Sequence, residues 1–351
     1  MSRNKKRNKI ITIILLVLLV IAFTLDIVLG SVDIPIFEAV KILFGNSSTD
    51  QIWNTIILEF RIPKAITAML AGSALSVCGL IMQTYFRNPL AEPYVLGISS
   101  GASFGVALVI LTAGSFGLNL YFLGDFFSQL SITTAAVIGS ALVLLLITFA
   151  AKKVSSNVTL LILGLMIGHI IGALESILKY FSAPENLQGY IIWGMGNFSN
   201  VLWKDLYFLV PIIFLGLAGS YILSKQLNLL LLGEHYALSM GANIKLLRFL
   251  LIIIGGVLAG IITAFCGPIA FIGIAVPQIT RNLLHESDHR KLIPAVALVG
   301  SLLTLICDII AQMPGGEQTL PINVVTSLVG APVVIWIILQ QRKIKHTFAM
   351  D

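Results

Sequence analysis

The chain is predicted to be an all-α polytopic membrane protein, on three observations. Hydrophobic residues fill 57% of its 351 positions. Charged residues fill only 11%, far below the roughly 25% of soluble domains. Finally, apolar runs long enough to cross a bilayer core of roughly 30 Å, about 20 residues each, occupy most of the sequence and leave no room for a soluble domain of useful size.

Ten transmembrane helices follow when the runs are cut at charged or Gly/Pro-rich breaks. The first, 10–29, follows a basic head (Arg3, Lys5, Lys6, Arg7, Lys9); no small-x-small cleavage site comes after it, so it reads as an uncleaved helix, not a signal peptide. The second, 63–83, runs into a proline-rich break. The third, 94–112, carries Gly97, Gly101 and Gly105; the fourth, 130–151, ends at Lys152 and Lys153. The fifth, 157–178, repeats the doubled G-x-x-x-G with Gly164, Gly168 and Gly172. The sixth, 206–224, stops before Lys225, and the seventh, 246–265, adds Gly256 and Gly260. The eighth, 269–284, is short, and Gly267-Pro268 before it reads as a tight turn or partial re-entry, which a membrane tolerates only where protein or a cavity shields the backbone. The ninth is 292–312 and the tenth 323–341. Small-residue faces let neighbouring helices approach closely, so the two doubled motifs predict a dense bundle, whether or not they serve anything beyond packing.

Charge sets the orientation. With the N-terminus cytoplasmic, 17 of the 22 Lys and Arg lie inside, among them Arg87, Lys152, Lys153, Lys225, Lys245, Arg248, Arg281, Arg290, Lys291, Arg342, Lys343 and Lys345. Asp26, Asp33, Glu38, Asp50, Glu59, Asp125, Glu185, Asp205 and Glu317 fall outside or at the outer boundary. Both termini are then cytoplasmic. The net charge of +6 reflects this asymmetry and gives no reason to expect nucleic-acid binding. Cys78, Cys266 and Cys307 form no C-x-x-C pair and read as packing residues.

Chemistry is sparse. The intramembrane ionisable groups are His169, read as a hydrogen-bonded interior histidine, Glu175, near enough to the outer end to reach water, and Asp308, inside a span. A proton- or sodium-coupled carrier would show more of them, and a metal-ion path would cluster His, Cys, Asp or Glu. No phosphate loop, G-x-S-x-G elbow or H-E-x-x-H occurs. The chain is therefore not read as an enzyme, and active transport would draw its energy from another subunit.

One segment breaks the apolar pattern on the cytoplasmic side: a glycine-bracketed helix at about 229–241, containing Gly233, Glu234, Ala237, Leu238 and Gly241. It is either an ordinary amphipathic loop helix or a surface on which a separate motor pushes. A second distinctive break, Gln83 to Gly97, has Pro89 and Pro93 four apart, which end the incoming helix and hold the chain extended.

Together these residues resemble a known family. Arg61-Ile62-Pro63-Lys64, Gln83, Arg87-Asn88-Pro89-Leu90-Ala91-Glu92-Pro93 and Leu96-Gly97 are similar to the FecCD permease family, the BtuC-type membrane subunits of bacterial ABC importers. So are Trp193-Gly194-Met195-Gly196, Leu232-Gly233-Glu234 and Gly267-Pro268-Ile269-Ala270-Phe271-Ile272-Gly273 with Pro277 and Arg281. Asp288-His289-Arg290, Pro321-Ile322-Asn323-Val324-Val325-Thr326 and Gly330-Ala331-Pro332 complete the set, which spans about residues 55 to 340 in order.

The resemblance implies a BtuC-like ten-helix bundle in the bacterial inner membrane, paired as a homodimer or close heterodimer with one pathway at the interface. It implies cytoplasmic ABC ATPase subunits, which carry the ATP and Mg; a periplasmic or lipid-anchored substrate-binding protein outside; and no cofactor in this chain. The cargo would be an iron(III)-siderophore chelate, the family's commonest, with cobalamin or haem as alternatives and an ion-coupled secondary carrier as the reading from another class. By position, Glu234, Ala237 and Leu238, between Gly233 and Gly241, match the coupling helix that seats in the ATPase. Asn88 and Leu90 match a cytoplasmic gate, with Ser156 and Asn157 at its partner loop; Val158 departs from the small hydroxyl residue found in relatives. Arg61 and Lys64 match basic residues that dock the binding protein, lipid-headgroup anchoring being the alternative, and Gln312 stands where a third basic docking residue can occur.

Overall fold

A computed structural model describes residues 2–30, 32, 34–43, 45, 51–113, 124–154, 156–313 and 319–347. Asp33, Asp50 and Glu317 lie outside the described residues. In chain order the helices are α1 (Ser2–Val28), α2 (Ile36–Leu43), α3 (Gln51–Thr55), α4 (Ile62–Phe86), α5 (Ile98–Ala113), α6 (Gly124–Lys153), α7 (Asn157–Phe181), α8 (Pro184–Gly194), α9 (Trp203–Ile222), α10 (Ser224–Leu232), α11 (Glu234–Ser239), α12 (Ile244–Cys266), α13 (Ile272–Leu284), α14 (His289–Gln312) and α15 (Ile322–Thr347). A π-helical turn (Ile56–Arg61) leads into α4 and a 3-10 turn (Pro93–Leu96) into α5.

Each predicted span overlaps an α-helix, although the third and eighth begin ahead of α5 and α13, and the helices differ in reach. Among the described residues, seven are long and apolar enough to cross a membrane: those containing Lys6–Val28, Gln51–Phe86, Leu130–Lys153, Asn157–Phe181, Trp203–Ile222, Ile244–Cys266 and His289–Gln312. The apolar parts of α5 and α15 are shorter, and the 13 residues of α13 rise only about 20 Å.

The eighth predicted span begins later than its sequence suggests. Residues 267–271 are not helical, because Gly267 (φ 76°) and Phe271 (φ 68°) both adopt left-handed conformations. The freed backbone groups are met by protein. The Tyr94 hydroxyl donates to the Ile269 carbonyl and accepts from the Ile269 N–H, both at 2.7 Å, while Asn323 Oδ1 accepts from Ala270 N at 3.1 Å. That is what an irregular segment inside a membrane protein requires.

α4 is the centre of the bundle. All its residues from Ala71 to Phe86 are buried; Leu75, Leu80, Ile81 and Met82 fill the core around it, while glycines and hydroxyls set its closest helix contacts. A Cβ on Gly72 would run into the carbonyl of Gly300 on α14, and one on Gly79 into the carbonyl of Gly273 on α13. Ser76 Oγ donates to Val296 O at 3.1 Å and Thr304 Oγ1 to Ala68 O at 2.8 Å, knitting α4 to α14. The first doubled glycine motif works similarly: Gly101 and Gly105 on α5 abut Gly139 and Ala135 on α6, and Gly97 faces Gly164 and Gly168 on α7. Gly172, in the second motif, faces open space.

Candidate functional site: a coupling segment clasped to a gate loop

Helix ends rich in basic residues gather at one end of the bundle. The predicted single helix over 229–241 is two helices there, α10 and α11, parted at Gly233. That residue has φ 121° and ψ 149°, a region open essentially to glycine alone. α11 turns Ala237 fully inward and leaves Tyr236, Leu238 and Met240 exposed, with Leu231 and Leu232 of α10 beside them. Of the three residues matched to ATPase contact, Leu238 alone sits on the outer surface. Ala237 is buried, and its small side chain lets α11 lie against the bundle.

Glu234 is held inward too. Its Oε1 accepts from Asn157 Nδ2 at 2.6 Å, and the same amide nitrogen lies 3.2 Å from Tyr85 O on α4. Arg248 of α12 completes the node, donating to Val154 O at 2.6 Å and to Asn157 Oδ1 at 3.2 Å. Ser156 caps α7, its Oγ accepting from Thr159 N at 3.4 Å, and is exposed. Asn157 thus joins the start of α11 to the amino end of α7.

The loop matched to a gate follows α4 directly. Arg87 ends the helix in a left-handed conformation (φ 50°), and its guanidinium donates to Leu230 O of α10 at 2.9 Å. Asn88 Oδ1 then accepts from Leu90 N at 3.0 Å, an Asx turn that aims the loop and leaves Leu90 exposed. Beneath, Gln83 donates to the carbonyls of Gly273 and Ile274, both at 3.2 Å, and accepts from Gln278 at 2.9 Å. Burial raises the Glu92 carboxyl above its ordinary range.

A second clasp lies at Asp288-His289, whose role the sequence alone does not signal. Asn228 of α10 donates to Asp288 Oδ1 at 2.7 Å, and its Oδ1 meets both the backbone N–H (2.9 Å) and Nδ1 (2.7 Å) of His289. His289, fully buried, reaches Thr84 Oγ1 of α4 through Nε2 at 2.9 Å. The Asn228 amide, first, and the Arg290 N–H hold the Asp288 carboxyl below its usual range.

At the opposite end of α4 the predicted docking pair is turned inward. Arg61 is buried, donating to Ile27 O at 3.0 Å, Val28 O at 2.7 Å and Val32 O at 2.5 Å, so its guanidinium closes the carboxyl end of α1. Lys64 Nζ lies 2.8 Å from Asp308 Oδ2, and Gln312 Nε2 bridges Asp308 Oδ2 (3.1 Å) and Asp26 Oδ1 (2.9 Å). Arg61 is buried and Lys64 part-buried in these contacts. The physical reason is local: α1 offers carbonyls and α14 a carboxylate that would otherwise be buried without a counter-charge.

Two other expectations change. Glu175 is buried, accepting from the Tyr190 hydroxyl at 3.0 Å with Lys179 Nζ at 3.4 Å. His169 is exposed on the open face of α7, not interior. Asp308 is buried in α14, a helix long and apolar enough to cross a membrane. Among the described residues no group of three or more His, Cys, Asp or Glu could hold a metal ion.

A helical membrane permease, with a short broken helix clasped to a loop at one end, is the class these features define. The chain belongs to the FecCD transport family, whose pattern it matches over residues 18–340. It is 34% identical over 338 residues to the hemin transport system permease protein HmuU of Yersinia pestis, covering 94% of this chain and 95% of that one. It is 38% identical over 287 residues to the vitamin B12 import system permease protein BtuC of Klebsiella pneumoniae, covering 82% and 83%. A solved structure described as an inward-facing conformation of a metal-chelate type ABC transporter superposes with a TM-score of 0.80 at 29% identity, covering 94% of this chain and 99% of that one. The protein is therefore a multi-pass permease subunit of a bacterial ABC importer and not itself an enzyme.

Proposed function

We propose that this permease carries a metal tetrapyrrole, haem or cobalamin, in place of the iron-siderophore chelate that family frequency favoured. The relatives reported above are named for hemin and vitamin B12 and align over most of their length, which supports this cargo over a siderophore. The driving step is support of another kind. α10 and α11 are hydrogen-bonded to the gate loop through Arg87 and to α7 through Asn157, so a partner ATPase that shifts this segment also shifts the gate.

In this reading both termini are cytoplasmic, ATP and Mg act on the ATPase, and Leu238 with its exposed apolar neighbours is the seat. All ten predicted helices cross or enter the membrane. A second copy covers the open apolar faces of α7 (Ile162, Ile170, Ile177) and α15 (Leu328, Ile335, Trp336), with one pathway between. A substrate-binding protein delivers the cargo from outside. Asn88, Leu90, Ser156 and Asn157 close the cytoplasmic mouth.

The test is uptake by proteoliposomes holding the permease and its cognate ATPase, offered haem, cobalamin and a ferric siderophore in parallel with the binding protein. ATP-dependent accumulation of one tetrapyrrole is expected. Accumulation of the siderophore alone overturns the cargo, and uptake that follows an ion gradient without ATP overturns the mechanism.

A further inference from the structure

A cleft of about 760 Å³ opens between the end of α6 and the turn from α11 into α12, beside the exposed Leu238. Its volume lies in the range of small-molecule sites, roughly 300–1,000 Å³. Lys152, Lys245 and Arg248 contribute three positive charges to its lining, and no carboxylate lines it. Arg248 is already engaged with Val154 O and Asn157, so it fixes the wall. Lys152 and Lys245 are exposed, and neither has an ion-pair partner among the described residues. Lys152 Nζ lies 5.4 Å from the Phe149 ring centroid.

The cleft is also half apolar. Ile244, Phe249, Leu238 and Ala151 line it beside the cations. Directly along α6 from it, Ile138, Leu142, Leu145 and Phe149 are all exposed at a spacing that puts them on one helical face. An apolar stripe along α6 thus descends into a pocket lined by basic residues and no carboxylate, an arrangement that matches a molecule with an anionic head and a hydrocarbon tail. A soluble anion would have no use for the stripe, and an acidic protein surface would not need it to run up the exposed side of α6.

We propose that this cleft binds the headgroup of an anionic phospholipid, with an acyl chain lying along the Ile138–Phe149 face of α6. Basic pockets at the ends of membrane helices bind such headgroups, each Lys or Arg contributing about 1 kcal/mol near the surface. Because the cleft is lined by both Leu238 and the first turn of α12, a bound lipid braces the segment that carries α11.

The full-length permease, purified in neutral detergent, is titrated with phosphatidylglycerol and, separately, phosphatidylcholine, and bound lipid is counted by native mass spectrometry. Phosphatidylglycerol is expected to bind saturably and phosphatidylcholine not. Lys152→Gln with Lys245→Gln should weaken phosphatidylglycerol about thirtyfold. The Lys→Arg pair should restore it, and all three proteins should unfold at the same temperature, since both side chains are exposed. Unchanged affinity in the Gln pair overturns the site. Competition by glycerol 1-phosphate at concentrations equal to the lipid overturns the acyl-chain contact and makes the ligand a soluble phosphate. A Gln pair that loses affinity for the ATPase while keeping its lipid overturns the assignment in favour of an acidic protein partner.

Discussion

Replacing Lys64 with Gln should destabilise the permease by about 3–5 kcal/mol, the cost of stripping one partner from a buried ion pair. The ammonium lies 2.8 Å from Asp308 Oδ2, with side-chain exposures of 14% and 6%. At an effective dielectric of about 20 the Coulomb attraction at that distance is about 6 kcal/mol, set against desolvation of several kcal/mol for each ion. The pair is thus close to break-even while intact and costly once broken. Asp26 sharpens the asymmetry: Gln312 ties it to Asp308, so Lys64→Gln leaves two buried acid groups without the ammonium, whereas Asp308→Asn leaves Lys64 with Asp26 still nearby. Lys64→Gln should therefore cost more than Asp308→Asn, and the double variant should recover part of the loss. Denaturant titration in mixed micelles, followed by tryptophan fluorescence, reads all three. A Lys64→Gln cost under about 1 kcal/mol, the level of an exposed pair, would refute the reasoning and return Lys64 to the role of a free docking group.

Gly233→Ala forces a β-carbon into a backbone region nearly reserved for glycine and 3.2 Å from Arg87 Nη2; a cost of about 1–3 kcal/mol should appear as weaker co-purification of the ATPase, with the remaining helices intact by circular dichroism. Asn157→Ala removes the link between Glu234 and Arg248, so cargo moved per ATP hydrolysed should fall at least severalfold while ATPase binding persists; an unchanged ratio would remove Asn157 from the transmission path. Because the Asp288 carboxyl is held below its ordinary value of 3.8, its contribution to stability is fully present above that pH and is lost as the pH falls through the lower folded-state value. Hydrogen exchange at α10 should accordingly stay slow down to about pH 4 and accelerate below it, a step that Asp288→Asn should abolish.

The helices were legible because each is a continuous apolar run, and the gate loop because prolines and an Asx residue state its geometry directly. Short elements were not. α2, α3 and α8 are too brief for periodicity to separate them from loops, and the apolar run Leu229–Leu232 reads on into the residues after Gly233 as one helix although the chain breaks there. Burial of charge was the least visible property. Nothing near Arg61 in sequence announces that its partners are the carbonyls of Ile27 and Val28, more than 30 residues earlier, nor that the acid beside Lys64 comes from α14. Motif position therefore read both bases as outward-facing. His169 failed in the opposite direction: an imidazole within an apolar run reads as sheltered, and only the packing of α7 shows it on an open face.

The wholly enclosed stretch of α4 carries a consequence for how the protein is made. A helix with no lipid-facing side over Ala71–Phe86 is synthesised long before the neighbours that enclose it; the carbonyl that receives the Ser76 hydroxyl follows 220 residues later. At ribosomal speeds of roughly 5–20 residues per second, that is a wait of roughly 10–45 seconds. During it the glycines and hydroxyls that later fit α13 and α14 face lipid or the insertion machinery. The central helix of the finished bundle is thus, for much of the chain's synthesis, an uncovered one.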